Sequence, residues 1–196
     1  MAEQLTRLFK DCWRQAKIPE EWRKGVIVKL PKKGVSECGN WRGITLLSVP
    51  GKIFCMILFR RLLGAIDERL REEQAGFRSN RSCSEQIFCL RNIIEQCIEY
   101  LHPLCVNFID FRKAFDSIHR ESLWAILRMY GTPQAFVDVF RNLNSCCCVK
   151  TNAGHTGFFK ITTGVRQGCI LLPVLFNIAL DFVMRIAIKL GKTGIS

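Results

Sequence analysis

The sequence predicts an α/β fold of the mixed α+β kind, and three observations lead there. The run Cys105-Val-Asn-Phe-Ile-Asp110-Phe111 is apolar on both alternating faces, which reads as a buried central strand. Two other apolar runs, Gly25-Val-Ile-Val-Lys-Leu30 and Trp41-Arg42-Gly43-Ile44-Thr45-Leu46, flank a basic, polar stretch and read as two strands of a hairpin. Around these runs, apolar residues recur at helical spacing over several longer segments. Asp110 ends the central strand. A carboxylate there is costly unless a cation or a metal ion pairs with it.

Taken in order, residues 3–17 repeat Leu5, Leu8, Phe9, Cys12 and Trp13 at helical spacing, for core packing or for a membrane surface. Pro19 starts a short second element in which Trp22 anchors the chain. After the strand pair, residues 51–70 read as a helix with Ile53, Phe54, Ile57, Leu58 and Leu62 as its apolar stripe. Arg60, Arg61, Arg69 and Arg71 lie toward its end, favoured by the helix dipole. The loop Gln74-Ala-Gly76-Phe77-Arg78-Ser-Asn-Arg81 follows. Ser82-Cys-Ser-Glu85 has the form of a capping box and opens a helix to about Tyr100, with Ile87, Leu90, Ile94, Cys97, Ile98 and Leu101 inward. Beyond the Asp110 strand, Leu123, Ile126, Leu127 and Tyr130 mark a helix that Gly131 ends. Thr132-Pro133 starts another, with Phe136, Phe140 and Leu143 facing in. Asn152-Ala-Gly154 joins Cys146–Lys150 to Gly157–Ile161 as a hairpin. A glycine-bounded turn, Thr163–Gly168, leads to a mostly buried helix over roughly 173–190, with Pro173 in its first turn and Gly191 at its end.

The chain has 196 residues, 48% of them hydrophobic, enough for a globular core rather than global disorder. Its net charge is +12, with +7 over residues 1–80 and +5 over residues 81–196. A basic surface spread this widely suits a polyanion lying across the whole molecule, or simply keeps a basic protein soluble. No apolar run reaches transmembrane length; the longest, Cys169–Leu180, is interrupted by Pro173 and Asn177. Eleven cysteines and a polar start predict a reduced, intracellular protein that is not secreted, so the sequon Asn80-Arg-Ser82 stands idle. The triplet Cys146-Cys-Cys148 reads as small strand hydrophobes, because adjacent strand residues point to opposite faces and no second cysteine cluster completes a zinc set.

Several of these stretches resemble one family. Phe108-Ile-Asp110-Phe-Arg-Lys-Ala-Phe115-Asp116 looks like the first palm motif of reverse transcriptases, in the version used by non-LTR retrotransposons. Gly164-Val-Arg-Gln-Gly168-Cys169-Ile170 followed by Pro173-Val-Leu-Phe-Asn177 resembles the second. Asn40–Leu47 and Gln74–Arg78 resemble two motifs of the fingers region. The four matches occur in the family's order over most of residues 25–190, and the nearest likeness is to endonuclease–reverse transcriptase polyproteins.

The resemblance implies right-hand polymerase fingers plus an incomplete ferredoxin-like palm. It divides the chain into an N-terminal helical lead-in (1–24), a fingers region (25–104) and a partial palm (105–196). The implied activity is RNA-directed DNA synthesis, in which a primer 3′-hydroxyl attacks the α-phosphate of a dNTP with magnesium. An RNA template, a DNA primer and the remaining palm and thumb of a parent polyprotein are the implied partners, with no membrane. The implied place of action is the nucleus, after cytoplasmic synthesis.

Residue by residue, Asp110 matches the first catalytic, metal-binding aspartate, and the Phe111 carbonyl is a further ligand. Arg42, with Lys32 or Lys33, matches the position that holds the triphosphate; the same basic loop also reads as a solvated turn. Phe115 matches the bulky residue under the sugar, a steric filter against the ribose 2′-hydroxyl. Gln167 and Gly168 match residues bordering the nascent base pair, with Arg166 beside them against nucleic acid. Gly76, Phe77, Arg78 and Arg81 lie where template and fingers meet, and Phe77 equally suits a core plug. Asp116 reads as a local cap or salt-bridge partner more than a metal ligand.

The family's other two metal aspartates belong to an aromatic-x-Asp-Asp hairpin, and the chain holds no Asp-Asp pair. Leu172 stands where the second palm motif usually has serine. The expectation is a fragment, inactive alone as an enzyme, with a non-catalytic nucleic-acid-binding remnant as the alternative.

Overall fold

The computed structural model describes residues 2–31, 40–143, 146–165 and 168–190. Amphipathic helix α1 (Ala2–Gln15) places Phe9, Cys12 and Trp13 on the core, and α2 (Glu20–Arg23) adds Trp22. The Trp22 ring lies 5.8 Å from both Phe9 and Phe54, so it anchors the lead-in as its sequence position predicts.

Strands β1 (Lys24–Pro31) and β2 (Trp41–Leu46) form the expected antiparallel pair, in register from Val26 opposite Leu46 to Pro31 opposite Trp41. Helix α3 (Val49–Ile66) starts on Ser48, whose hydroxyl accepts from the Gly51 amide at 3.3 Å, with Pro50 in the first turn. It buries Phe54, Leu58, Leu62 and Ile66; Ile53 of the predicted stripe lies outside, 42% exposed. Helix α4 (Cys83–Glu99) opens on the capping box that Ser82 and Glu85 predict. Helices α5 (Arg120–Met129) and α6 (Gln134–Leu143) follow, with Leu123, Leu127, Val137 and Phe140 buried.

Strand β3 (Cys146–Thr151) then returns to β1 and pairs with it in parallel, Lys24 opposite Cys146 and Ile27 opposite Val149. A parallel pair needs a long crossover, and α3 to α6 lie within it. Short strands β4 (Gly154–His155) and β5 (Phe159–Lys160) pair antiparallel with the two ends of β3. Cys147 and Cys148 are both buried, so both faces of the sheet are covered there and the thiols serve as small apolar side chains. Helix α7 (Leu172–Leu190) inserts Val174, Leu175 and Ile178 among α3, α5 and α6.

Two expectations are corrected. Helix α4 forms where predicted, yet none of its residues is buried; Ile87 and Ile98 are 68% and 69% exposed, and Leu101 beyond it is 90% exposed. Residues 102–111 run without regular structure and have no ladder partner among the described residues, so the central strand does not form. Phe108 and Ile109 are 85% and 70% exposed. The reason is common to both. A strand exists only through its neighbours, and no described strand lies beside this run; without a sheet there, the apolar stripe of α4 has nothing to cover.

Candidate nucleotide and nucleic-acid site

Some of the residues that carry the motifs, Phe77, Phe115, Gly164 and Gly168, lie near the N-terminal end of α7. The turn before that helix is held at two glycines. Gly164 adopts φ +73°, and a Cβ there would lie 2.8 Å from the Asp116 Cα. Gly168 adopts φ +103°, and a Cβ there would lie 2.5 Å from the Thr45 carbonyl oxygen on β2. Only glycine allows both the conformation and the approach. Backbone bonds complete the attachment: the Gly164 amide donates to Ile118 at 2.8 Å, and the Val165 amide donates to Phe115 at 3.0 Å. Arg120 ties the same turn from α5, donating to the carbonyls of Gly164 at 2.9 Å and Ile161 at 2.6 Å.

Phe115 sits in a tight turn in which the Asp116 amide donates back to Lys113 at 2.9 Å and Lys113 adopts φ +52°. Its ring lies 4.8 Å from Phe176 on α7 and 6.4 Å, edge-on, from Phe77. Arg42 is on β2 opposite Leu30, exposed, three residues from the Thr45 contact and so roughly 10 Å along the strand. Lys32, Lys33, Arg166 and Gln167 lie outside the described residues.

The loop after α3 is tied down from inside. The Arg78 side chain is 5% exposed and donates to the Asp67 carboxylate at 2.9 Å and to the carbonyls of Asp67, Arg71 and Gln74 at 2.8, 2.7 and 3.2 Å. Fully buried Asn177 donates to the Gly76 carbonyl at 2.7 Å and accepts from Gln74 at 3.3 Å. Phe77 is presented to solvent, 65% exposed, and Arg81 is an exposed neighbour 4.0 Å from Glu72.

One turn along α7, Asp181 is 0% exposed. It accepts from Arg71 Nε at 2.9 Å, from the Arg71 amide at 3.2 Å, from Arg185 at 2.6 Å and from the Tyr130 hydroxyl at 2.5 Å. Burial opposes its ionisation, but the hydrogen bonds from Tyr130, Arg185 and Arg71 outweigh that and hold the carboxyl below the usual range. Burial and the neighbouring carboxylate push the Tyr130 phenol up to about 12. This network reading from α7 to α5 and the 70–78 loop was missed in the sequence. Its signal is Asn177, Asp181 and Arg185 at four-residue spacing on an otherwise apolar helix.

Comparison with known proteins identifies the frame. The family described as "Reverse transcriptase (RNA-dependent DNA polymerase)" matches residues 30–191. The chain belongs to the reverse transcriptase family. It is 28% identical over 178 residues to the 149 kDa protein of transposon TX1 from Xenopus laevis, covering 89% of this chain and 14% of that protein. It is likewise 28% identical over 171 residues to the Pol polyprotein of retrotransposable element R2DM from Drosophila melanogaster, covering 86% of this chain and 16% of the relative. A Popillia japonica polyprotein of element R2 is 28% identical over 168 residues, 84% of this chain and 23% of its own length. The chain is a reverse transcriptase domain of the non-LTR retrotransposon type and spans less than a quarter of each of these relatives.

Within this reverse transcriptase domain, Asp110 and Phe111 are both exposed on the irregular 102–111 run. Carboxylate and carbonyl oxygens are the hard donors that magnesium takes. Among the described residues, however, no three His, Cys, Asp or Glu side chains gather as a metal site. One exposed carboxylate and one backbone carbonyl are too few donors to hold a divalent ion by themselves, so the described residues do not complete a metal site. No helix among the described residues is long and apolar enough to cross a membrane.

Proposed function

We propose that this domain is the fingers side and nucleotide-facing floor of an RNA-directed DNA polymerase. One observation carries the reading. Gly164 is pressed on the Phe115–Asp116 backbone and Gly168 on the Thr45 carbonyl. Those two contacts bring β2 and the Phe115 turn to the chain just before α7, and Asn177 and the Phe77–Phe115 ring contact add the Gly76–Phe77 segment.

Arg42, with Lys32 or Lys33, takes the triphosphate of a dNTP, a guanidinium fork and mobile point charges being suited to phosphate oxygens. Phe115 lies under the sugar, and Gln167 and Gly168 border the nascent base pair. The loop of Gly76, Phe77, Arg78 and Arg81 meets the template, and Arg166 is a further contact with nucleic acid. Asp110, with the Phe111 carbonyl, supplies ligands to a magnesium site completed by chain from elsewhere in a longer polyprotein. An RNA template and a DNA primer are the partners, and the nucleus is the place of action.

A binding-only reading is favoured by a different observation: Asp110 is exposed and isolated while the chain carries +12. Primer extension on an RNA template in magnesium separates the two. Extension by a longer polyprotein that carries this domain, abolished by Asp110→Asn, is the expected result. RNA binding that weakens steeply with salt, with no extension, replaces the polymerase reading by the binding one.

A further inference from the structure

Phe77 combines two features that folding alone does not favour. A large apolar side chain is 65% exposed, and its backbone adopts φ +57°, a conformation disfavoured for bulky residues. The surroundings hold it there. Asn177, buried in α7, grips the carbonyl of the preceding residue, Gly76, and is itself met by Gln74. On the other side Arg78 donates its amide to Ala75 at 3.4 Å and its guanidinium to Asp67, Arg71 and Gln74. Asp181, one turn beyond Asn177, fixes Arg71 at the base of the same loop. Sites where buried groups over-determine a strained residue and leave its side chain outside are sites where that side chain has a task.

The task is indicated by what the ring touches. Phe77 meets Phe115 edge-on, with centroids 6.4 Å apart and planes at 66°, and Phe115 meets Phe176 on its other contact at 4.8 Å. Three rings from three separate elements thus stand in a row, with Phe115 in the middle. A phenyl ring resting on one neighbour can swing about its side-chain torsions; one held between two has a fixed outline. We infer that Phe77, clamped by Asn177 and Arg78, is the positioning residue for the Phe115 ring, and through it sets how strictly the nucleotide site separates deoxyribose from ribose. This inference rests on the reading that places Phe115 under the sugar.

The test has two arms, the first on this chain and the second on a longer polyprotein that carries it. In the first, 4-fluorophenylalanine is placed at position 115 and its fluorine resonance is recorded. Phe77→Ala, an exposed change that leaves the core intact, is expected to shift or broaden the resonance, and Phe77→Tyr to restore it. Asn177→Ala, compared only at temperatures where it still unfolds cooperatively, and the milder Gln74→Ala are expected to shift it the same way with the ring at 77 still present. A resonance indifferent to Phe77→Ala overturns the inference.

In the second arm, primer extension is followed with dATP and with ATP. Phe77→Ala is expected to lower the dATP-over-ATP ratio of kcat/KM by about tenfold, the size of one lost aromatic contact, mainly through a lower KM for ATP. Equal loss with both nucleotides makes Phe77 a template contact only and overturns the inference. A wild-type polyprotein that extends no primer overturns the polymerase reading and with it the sugar-selection role, while the fluorine arm still decides whether Phe77 holds Phe115.

Discussion

Helices α4 and α7 are nearly the same length and share a repeating apolar face, but they end in opposite situations. Helix α7 lies against α3 and α5 and is crossed by a polar spine, Asn177, Asp181 and Arg185, each of whose members is bonded to another element. Helix α4 has a complete capping box and buries nothing. Local signals therefore suffice to make a helix, and a partner surface is a separate requirement. What differs is the surroundings. The chain around α7 meets finished helices, whereas α4 leads into residues 102–111, whose backbone has no described strand beside it.

The largest expected effect breaks the comparison at its packed side. Phe140→Ala should cost about 3–5 kcal/mol in denaturant unfolding, while Ile98→Ala should stay within about 0.5 kcal/mol. Equal losses would show that α4 is packed in solution after all.

Next is the polar spine. Asp181→Asn should cost roughly 3 kcal/mol at neutral pH, because two arginines and a tyrosine lose a shared buried carboxylate and some of these donors then face an amide NH2. Since the folded carboxyl is held below its ordinary value, its contribution is present above the unfolded pKa of about 4 and disappears as pH falls through the folded one. Unfolding midpoints of wild type and variant should thus converge on acidification; a gap that stays constant down to strong acid would exclude an ionised Asp181.

Smaller, and opposite in sign, is a pair of glycines. Gly168→Ala, with a left-handed φ and the Thr45 carbonyl in the way, should cost about 2 kcal/mol. Gly64→Ala, on α3 with nothing within 4 Å, should add about 0.5–1 kcal/mol. Thermal melts of the two variants check both signs.

The helices were legible because their signals are local: Ser82 with Glu85, Pro133 before α6, and apolar residues at three- and four-residue spacing. The β1–β2 pairing and the special backbone at Gly164 and Gly168 were legible for the same reason. The Asp110 run was misread as a formed strand, since its alternation records which residues want burial and cannot report whether a neighbour is present. Within the site, Phe115 and Gly168 were found by motif. The contact between Phe77 and Phe115, and the grip of Asn177 on Gly76, join residues far apart in sequence and follow only from the packing of α7 against the loop. Arg78, expected where template and fingers meet, is bonded to Asp67, Arg71 and Gln74, a use that no spacing rule announces.

The parallel pairing of β1 with β3 has a consequence for the order in which the molecule takes shape. Lys24 has no partner on that side until Cys146 has been made, so as the chain emerges from a ribosome the β1–β2 hairpin must wait with one edge open through the synthesis of four helices. Closing so long a loop is entropically slow, and the late step in folding should be the arrival of β3 rather than the growth of any helix. Until then the open edge of β1 is the place where a nascent chain is most exposed to pairing with the wrong partner.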